Sequence, residues 1–123
     1  MPQYPFVISP ERAAKLYGIE VIEPAPTDPP VNVDVPHLTV TSGTGAVGDT
    51  VNCTHGNWDN MGDLVDTYAW QWQRNGTNSG APASTGDRTL VALDSGTALT
   101  CVVTATNAIG STAAPPSNAI NVP

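Results

Sequence analysis

The stretch TYAWQWQRNG (67–76) decides the fold. Tyr68, Trp70 and Trp72 fall on one face and Ala69, Gln71 and Gln73 on the other, the period-two pattern of a strand with one buried side. Asn75-Gly76 then supplies the pair that turns a hairpin most readily. Working outward, VGDTVNCT (47–54) puts Val51 with Cys53 on one face, and HLTVT (37–41) alternates before the turn SGTG. On the other side, RTLVAL (88–93) is followed by LTCVVTATN (99–107), where Leu99, Cys101, Val103 and Ala105 share a face. Ile109-Gly110-Ser111 turns the chain and NAINV (118–122) is the last strand, while HGNWDNMGDLVD (55–66) reads as a long connection. About seven short strands between such turn signals predict an all-β, two-sheet sandwich.

Composition supports this reading and bounds the function. In 123 residues, 40% are apolar, enough for one core, and 12 Pro with 11 Gly punctuate the short segments. Charged residues are only 12%, so the surface is largely Thr, Ser, Asn, Gln and Ala. The net charge is −7, with four basic residues, Arg12, Lys15, Arg74 and Arg88. A nucleic-acid partner requires a basic stripe to neutralise phosphates, and attraction to anionic lipid requires the same, so neither partner is expected. No run approaches the ~20 apolar residues of a membrane-spanning helix.

The N-terminal quarter has a different character. Residues 1–23 are read as a short arm. Ser9 can cap a helix, Pro10 suits its first position, Glu11 favours its positive end and Gly18 can stop it, which predicts a helix of about two turns over 9–18. IEVIE (19–23) follows as a strand-like run. Phe6, Leu16, Tyr17, Ile19 and Ile22 give the arm apolar side chains that need cover, and they are its candidate anchoring residues. Residues 24–36, opening with PAPTDPP (24–30), are read as a proline-rich linker, leaving 37–123 as the sandwich domain; the other reading of PAPTDPP is an irregular lead-in lying on the sandwich. The start MPQYPFVISPERAAK lacks the basic and apolar regions of a secretory signal. Read as a natural start, it predicts a chain made in the cytoplasm; the other reading is a piece of a longer protein.

Trp72 stands 19 positions after Cys53 and 29 before Cys101. This Cys…Trp…Cys order, with VGDTVNCTHGNW (47–58), YAWQWQRNG (68–76) and TLVALDSGTALTCVVTATNAIGS (89–111), resembles a bacterial and phage subfamily of immunoglobulin-like domains. The resemblance covers roughly residues 37–122. It departs from the antibody pattern at Leu99, where a tyrosine corner would stand, and in the spacing of Asp94-Ser95-Gly96 from Cys101. It implies a sandwich of about seven strands with Trp72 as core marker. It also implies a place for the chain. A single such domain behind a short arm looks like a phage virion accessory protein of the capsid-decoration type, made in the host cytoplasm and carried on the virion surface. Its expected partners are the major capsid protein or another virion protein, and a host-surface glycan.

Cys53 and Cys101 would, if oxidised, close a loop worth roughly 4 kcal/mol by the chain-entropy argument; reduced, they pack as small apolar groups. His55 lies near Cys53, but the spacing matches no zinc motif, and no Cys-x-x-Cys occurs. Trp58, in a Gly/Asn/Asp-rich stretch, is the candidate exposed ligand contact, for stacking on a sugar ring. Asp59, Asp63 and Asp66 are spaced unlike an EF-hand loop. His37 and His55 lack the nucleophile and acid of a triad. Asn52-Cys53-Thr54 and Asn75-Gly76-Thr77 match the N-glycosylation pattern. No catalytic residue, metal site or cofactor is expected. Two functional classes follow: a non-enzymatic virion structural protein held by its arm, or a binding module of a bacterial adhesin or glycan-active protein.

Overall fold

The computed structural model describes residues 28–60 and 64–123. The helix expected over 9–18 and the anchoring candidates Phe6, Leu16, Tyr17, Ile19 and Ile22 lie outside the described residues. Within them the chain is all-β, with antiparallel pairing throughout. The strands are β1 (Val31–Asp34), β2 (Leu38–Ser42), β3 (Thr50–Cys53), β4 (Asn57–Asp59), β5 (Thr67–Arg74), β6 (Thr77–Asn78), β7 (Asp87–Thr89), β8 (Ala98–Thr106), β9 (Ser111–Ala113) and β10 (Ile120–Asn121). They form a sheet of order β10-β8-β5-β6 with β9 also on β8, a sheet of order β2-β3-β7, and the pair β1-β4.

The longest ladder joins β5 to β8, with eight residue pairs from Thr67↔Thr106 to Arg74↔Leu99. Trp72 and Cys101 are direct partners in it. Alternation along β8 is complete: Leu99, Cys101, Val103 and Ala105 are buried while their neighbours are half-buried. From the facing sheet come Leu38, Val51 and Cys53. Leu90, Trp70, Trp72 and Val122 complete the core, so it lies between the two sheets in a sandwich-like arrangement. The turn at Asn75-Gly76 has φ of 51° and 80°, the left-handed pair that a two-residue hairpin of matching twist requires.

Several elements differ from the sequence reading. Val31–Asp34, inside the stretch read as linker, is a strand paired with Asn57–Asp59, which itself lies in the stretch read as a connection. Pro29 and Pro30 do not prevent this, because they precede the strand and β1 is an edge. RTLVAL is strand only to Thr89; Ala92–Asp94 forms a 3-10 turn, since Asp94 Oδ2 accepts the Val91 N–H at 2.9 Å and bends the chain there. The short strands β6 and β9 follow directly from the turns at 75–76 and 109–110, which the sequence does mark.

The body has two distinct ends. One holds the Asn75-Gly76 turn, the 3-10 turn and the loop 43–49, where Gly48 N–H bonds the Leu90 carbonyl. The other holds Asp66, bonded to Thr106, and the turn at Asn107–Gly110. The chain enters at this second end: Asn107 Nδ2 donates to the Asp28 carbonyl at 2.9 Å, and Pro30 is fully buried.

Candidate functional site

Four groupings bring chemistry-bearing side chains together. The first is the sulfur and tryptophan centre. Cys53 and Cys101 are free thiols, buried to 1% and 0% exposure, and share the core with Trp72. A hydrogen bond with Cys53 and burial together hold the Cys101 thiol far above its usual range. The same bond shifts Cys53 the other way, downward, and burial shields both sulfurs, which pack as small apolar groups in the core. Leu99 is fully buried in the same core.

The second grouping is aromatic and lies at the chain-entry end. His55 stacks on Tyr68, with ring centroids 4.2 Å apart and planes 3° from parallel. Trp58 and Trp70 tilt against Tyr68 at 6.4 and 6.1 Å. The sequence places Tyr68 and Trp70 on the apolar face of β5, and both do pack inward, Trp70 with its Nε1–H on the Cys53 carbonyl at 3.0 Å. Trp58 is half-buried: it packs against the core and donates its Nε1–H to the His55 carbonyl at 2.7 Å. His55 itself is exposed. Its stacking on Tyr68 is invisible in sequence, because 13 positions separate them and no local pattern links the two.

The third grouping is ionic and lies at the opposite end. Asp94 has no exposed surface. Its Oδ1 accepts Arg74 Nε at 2.7 Å and an Arg88 terminal nitrogen at 2.9 Å, while Oδ2 accepts the Val91 N–H. Burial alone would raise this carboxyl's pKa; the bonds from Arg88, Val91 and Arg74 outweigh it and hold the pKa below the ordinary value. Arg88 also lies over the Trp72 ring, 5.5 Å from its centroid. In the sequence Asp94 stands out only by its spacing from Cys101, and nothing there pairs it with Arg74 or Arg88. Nearby, the loop 43–49 is tied by Asp49, whose Oδ2 accepts the N–H groups of Thr44, Gly45 and Ala46. Those backbone bonds, Thr44 first, lower its pKa.

The fourth is a shallow depression of about 290 Å³ on the outer side of the β2-β3-β7 sheet, lined by Thr41, Thr50, Val51, Asp87, Arg88 and Thr89. Its side-chain polar groups are already engaged in part: Thr41 bonds Thr50 at 3.0 Å and Asp87 accepts from Asn52 at 2.8 Å.

The remaining sequence candidates are scattered. Asp59 and Asp66 are separate exposed residues of β4 and the β5 approach, and Asp63 lies outside the described residues. Among the described residues no three of His, Cys, Asp and Glu gather as a metal site. His37 uses its backbone N–H on Thr54 Oγ1 and is exposed. Both glycosylation-pattern asparagines have structural partners, Asn52 on Asp87 and Asn75 Oδ1 on the Ala98 N–H. Against known proteins, no family model and no curated protein matches the chain.

Proposed function

We propose that this chain is a non-enzymatic structural protein of a phage virion. Residues 1–23 anchor it to the major capsid protein or another shell protein, in the manner of a capsid decoration, and an immunoglobulin-like sandwich faces outward at the virion surface. The sequence resemblance supports the immunoglobulin type, as does the Cys53–Trp72–Cys101 centre lying between two antiparallel sheets. The observation that carries the anchoring is the mode of entry. The chain joins the body at one end, fastened by Asn107 and Pro30, behind a segment rich in apolar side chains. That is the layout of a tether and its cargo. Deleting residues 1–23 tests it: co-sedimentation with empty shells of the phage that encodes the chain is expected to disappear, and undiminished binding would refute the anchoring.

One observation favours a second reading, a binding module of a bacterial surface adhesin or glycan-active protein. The His55, Trp58 and Tyr68 rings form a cluster at the surface of the body, and aromatic faces stack on sugars. On that reading the isolated protein binds on a glycan array and Trp58→Ala abolishes the signal. Trp58 lies on β4, paired with β1 near the point where the described chain begins, so a glycan contact through it belongs to this second reading and not to outward display.

A further inference from the structure

We infer that β1 is itself part of the docking surface, and that the base of the sandwich rests on the shell instead of being held away from it. The inference rests on the anchoring role proposed above for residues 1–23. Its occupant is the same shell protein, offering an apolar patch beside the arm's own site.

Two observations lead there. The first is the length of the tether. A linker over 24–36 would let the chain from Ile22 to His37 stretch to about 50 Å. The body begins much sooner: Asp28 is held by Asn107, Pro30 is buried, and Val31–Asp34 is paired. Only five residues lie between Ile22 and Asp28, so even full extension allows no more than about 20 Å. The nine-residue β8 alone is about 30 Å long. A body on a tether shorter than itself must keep its entry end close to whatever holds the arm.

The second observation is what that end exposes. Val31, Val33 and Val35 alternate along β1 and its continuation and are 47%, 64% and 50% exposed. Ile109, in the turn beside Pro29's neighbour Gly110, is 48% exposed. Valine at alternate positions of an edge strand is a liability in water unless a partner covers it. Asp34 and Asp59 belong to the same two strands, and Asp28 and Asp66 to the same end. The receiving surface that fits is therefore apolar at its centre and neutral or basic at its rim. The opposite end exposes Leu93, at 73%, and is too far away to take part.

The test uses the full chain and empty shells of the encoding phage in a binding titration. The triple variant Val31→Thr, Val33→Thr, Val35→Thr keeps shape and strand preference and removes apolar area. Its affinity is expected to fall by at least about ten-fold, the effect of losing some tens of Å² of apolar burial. Leu93→Thr at the far end is expected to bind like the parent. Unchanged affinity in the triple variant, or an equal loss in Leu93→Thr, would overturn the inference while leaving the arm's role intact. The deletion of residues 1–23 reports separately on that role. Unfolding midpoints of both variants, matched to the parent, exclude a folding defect as the cause.

Discussion

A carboxylate with no exposed surface must be compensated by its neighbours, and Asp94 shows how this body does so. Two partly exposed arginines and one backbone N–H share it. Replacing Asp94 by Asn leaves two guanidinium groups facing a neutral amide. Because the arginines keep some access to water, the expected loss is about 2–4 kcal/mol, at the lower side of what breaking a buried pair costs, measured by urea unfolding at pH 7. The pH dependence has a definite sign. The folded pKa is depressed, so the Asp94 contribution is complete above the unfolded value of about 3.9 and is lost as pH falls through the folded one. The gap between parent and Asp94→Asn is thus expected to narrow below pH 4; a gap that widened there would reject the ionic account. The cysteines give a second residue-scale prediction. With both thiols buried and that of Cys101 pushed up by its bond to Cys53 and by burial, iodoacetamide at pH 8 is expected to label neither in the folded protein and both in urea. At this scale the sequence reveals what periodicity controls, such as Trp72, Cys101 and Leu99 turned inward. It hides Arg74 and Arg88, because their common partner is chosen by tertiary approach and not by spacing.

Among the elements, backbone approaches backbone tightly where the β7 entry meets β3. A Cβ on Gly86 would run into the Cys53 carbonyl oxygen, the same oxygen that accepts Trp70 Nε1–H, and would crowd the indole too. Backbone cannot give way there without parting β3 from the Gly86 carbonyl that Cys53 N–H bonds. Gly86→Ala is therefore expected to destabilise by about 2–4 kcal/mol, as overpacking does, read from the thermal midpoint; a change under ~0.5 kcal/mol would contradict the packing. By contrast Gly76 has open space around it, and only its φ of 80° resists a side chain, so Gly76→Ala is expected to cost about 1 kcal/mol. The strands β5 and β8 are legible because alternation and length are both strong in them. β1 is not, since four prolines in residues 24–30 suppress the strand signal just before it begins. β4 is short, and its partner β1 lies 25 or so positions away, so no local pattern announces it.

For the whole molecule, the two ends differ in charge, although the Asp49 carboxylate lies at the end that holds the arginines. The two cations among the described residues, Arg74 and Arg88, gather on Asp94 at one end, while Asp28, Asp34, Asp59 and Asp66 lie at the other, where the chain enters. An entry end so charged, with valines at its centre, suits a fixed seat better than free suspension. The layered all-β body follows from the sequence, but the point where it begins does not: that is set by Asn107, Pro30 and the β1-β4 pairing. The most direct measurement is a cryo-electron microscopy difference map between shells with and without the full-length protein. The account predicts a compact body seated on the shell, its entry end and β1 within about 20 Å of the surface and the Asn75-Gly76 turn pointing away. A map without added density, or with the body turned so that the Asn75-Gly76 end meets the shell, would contradict it.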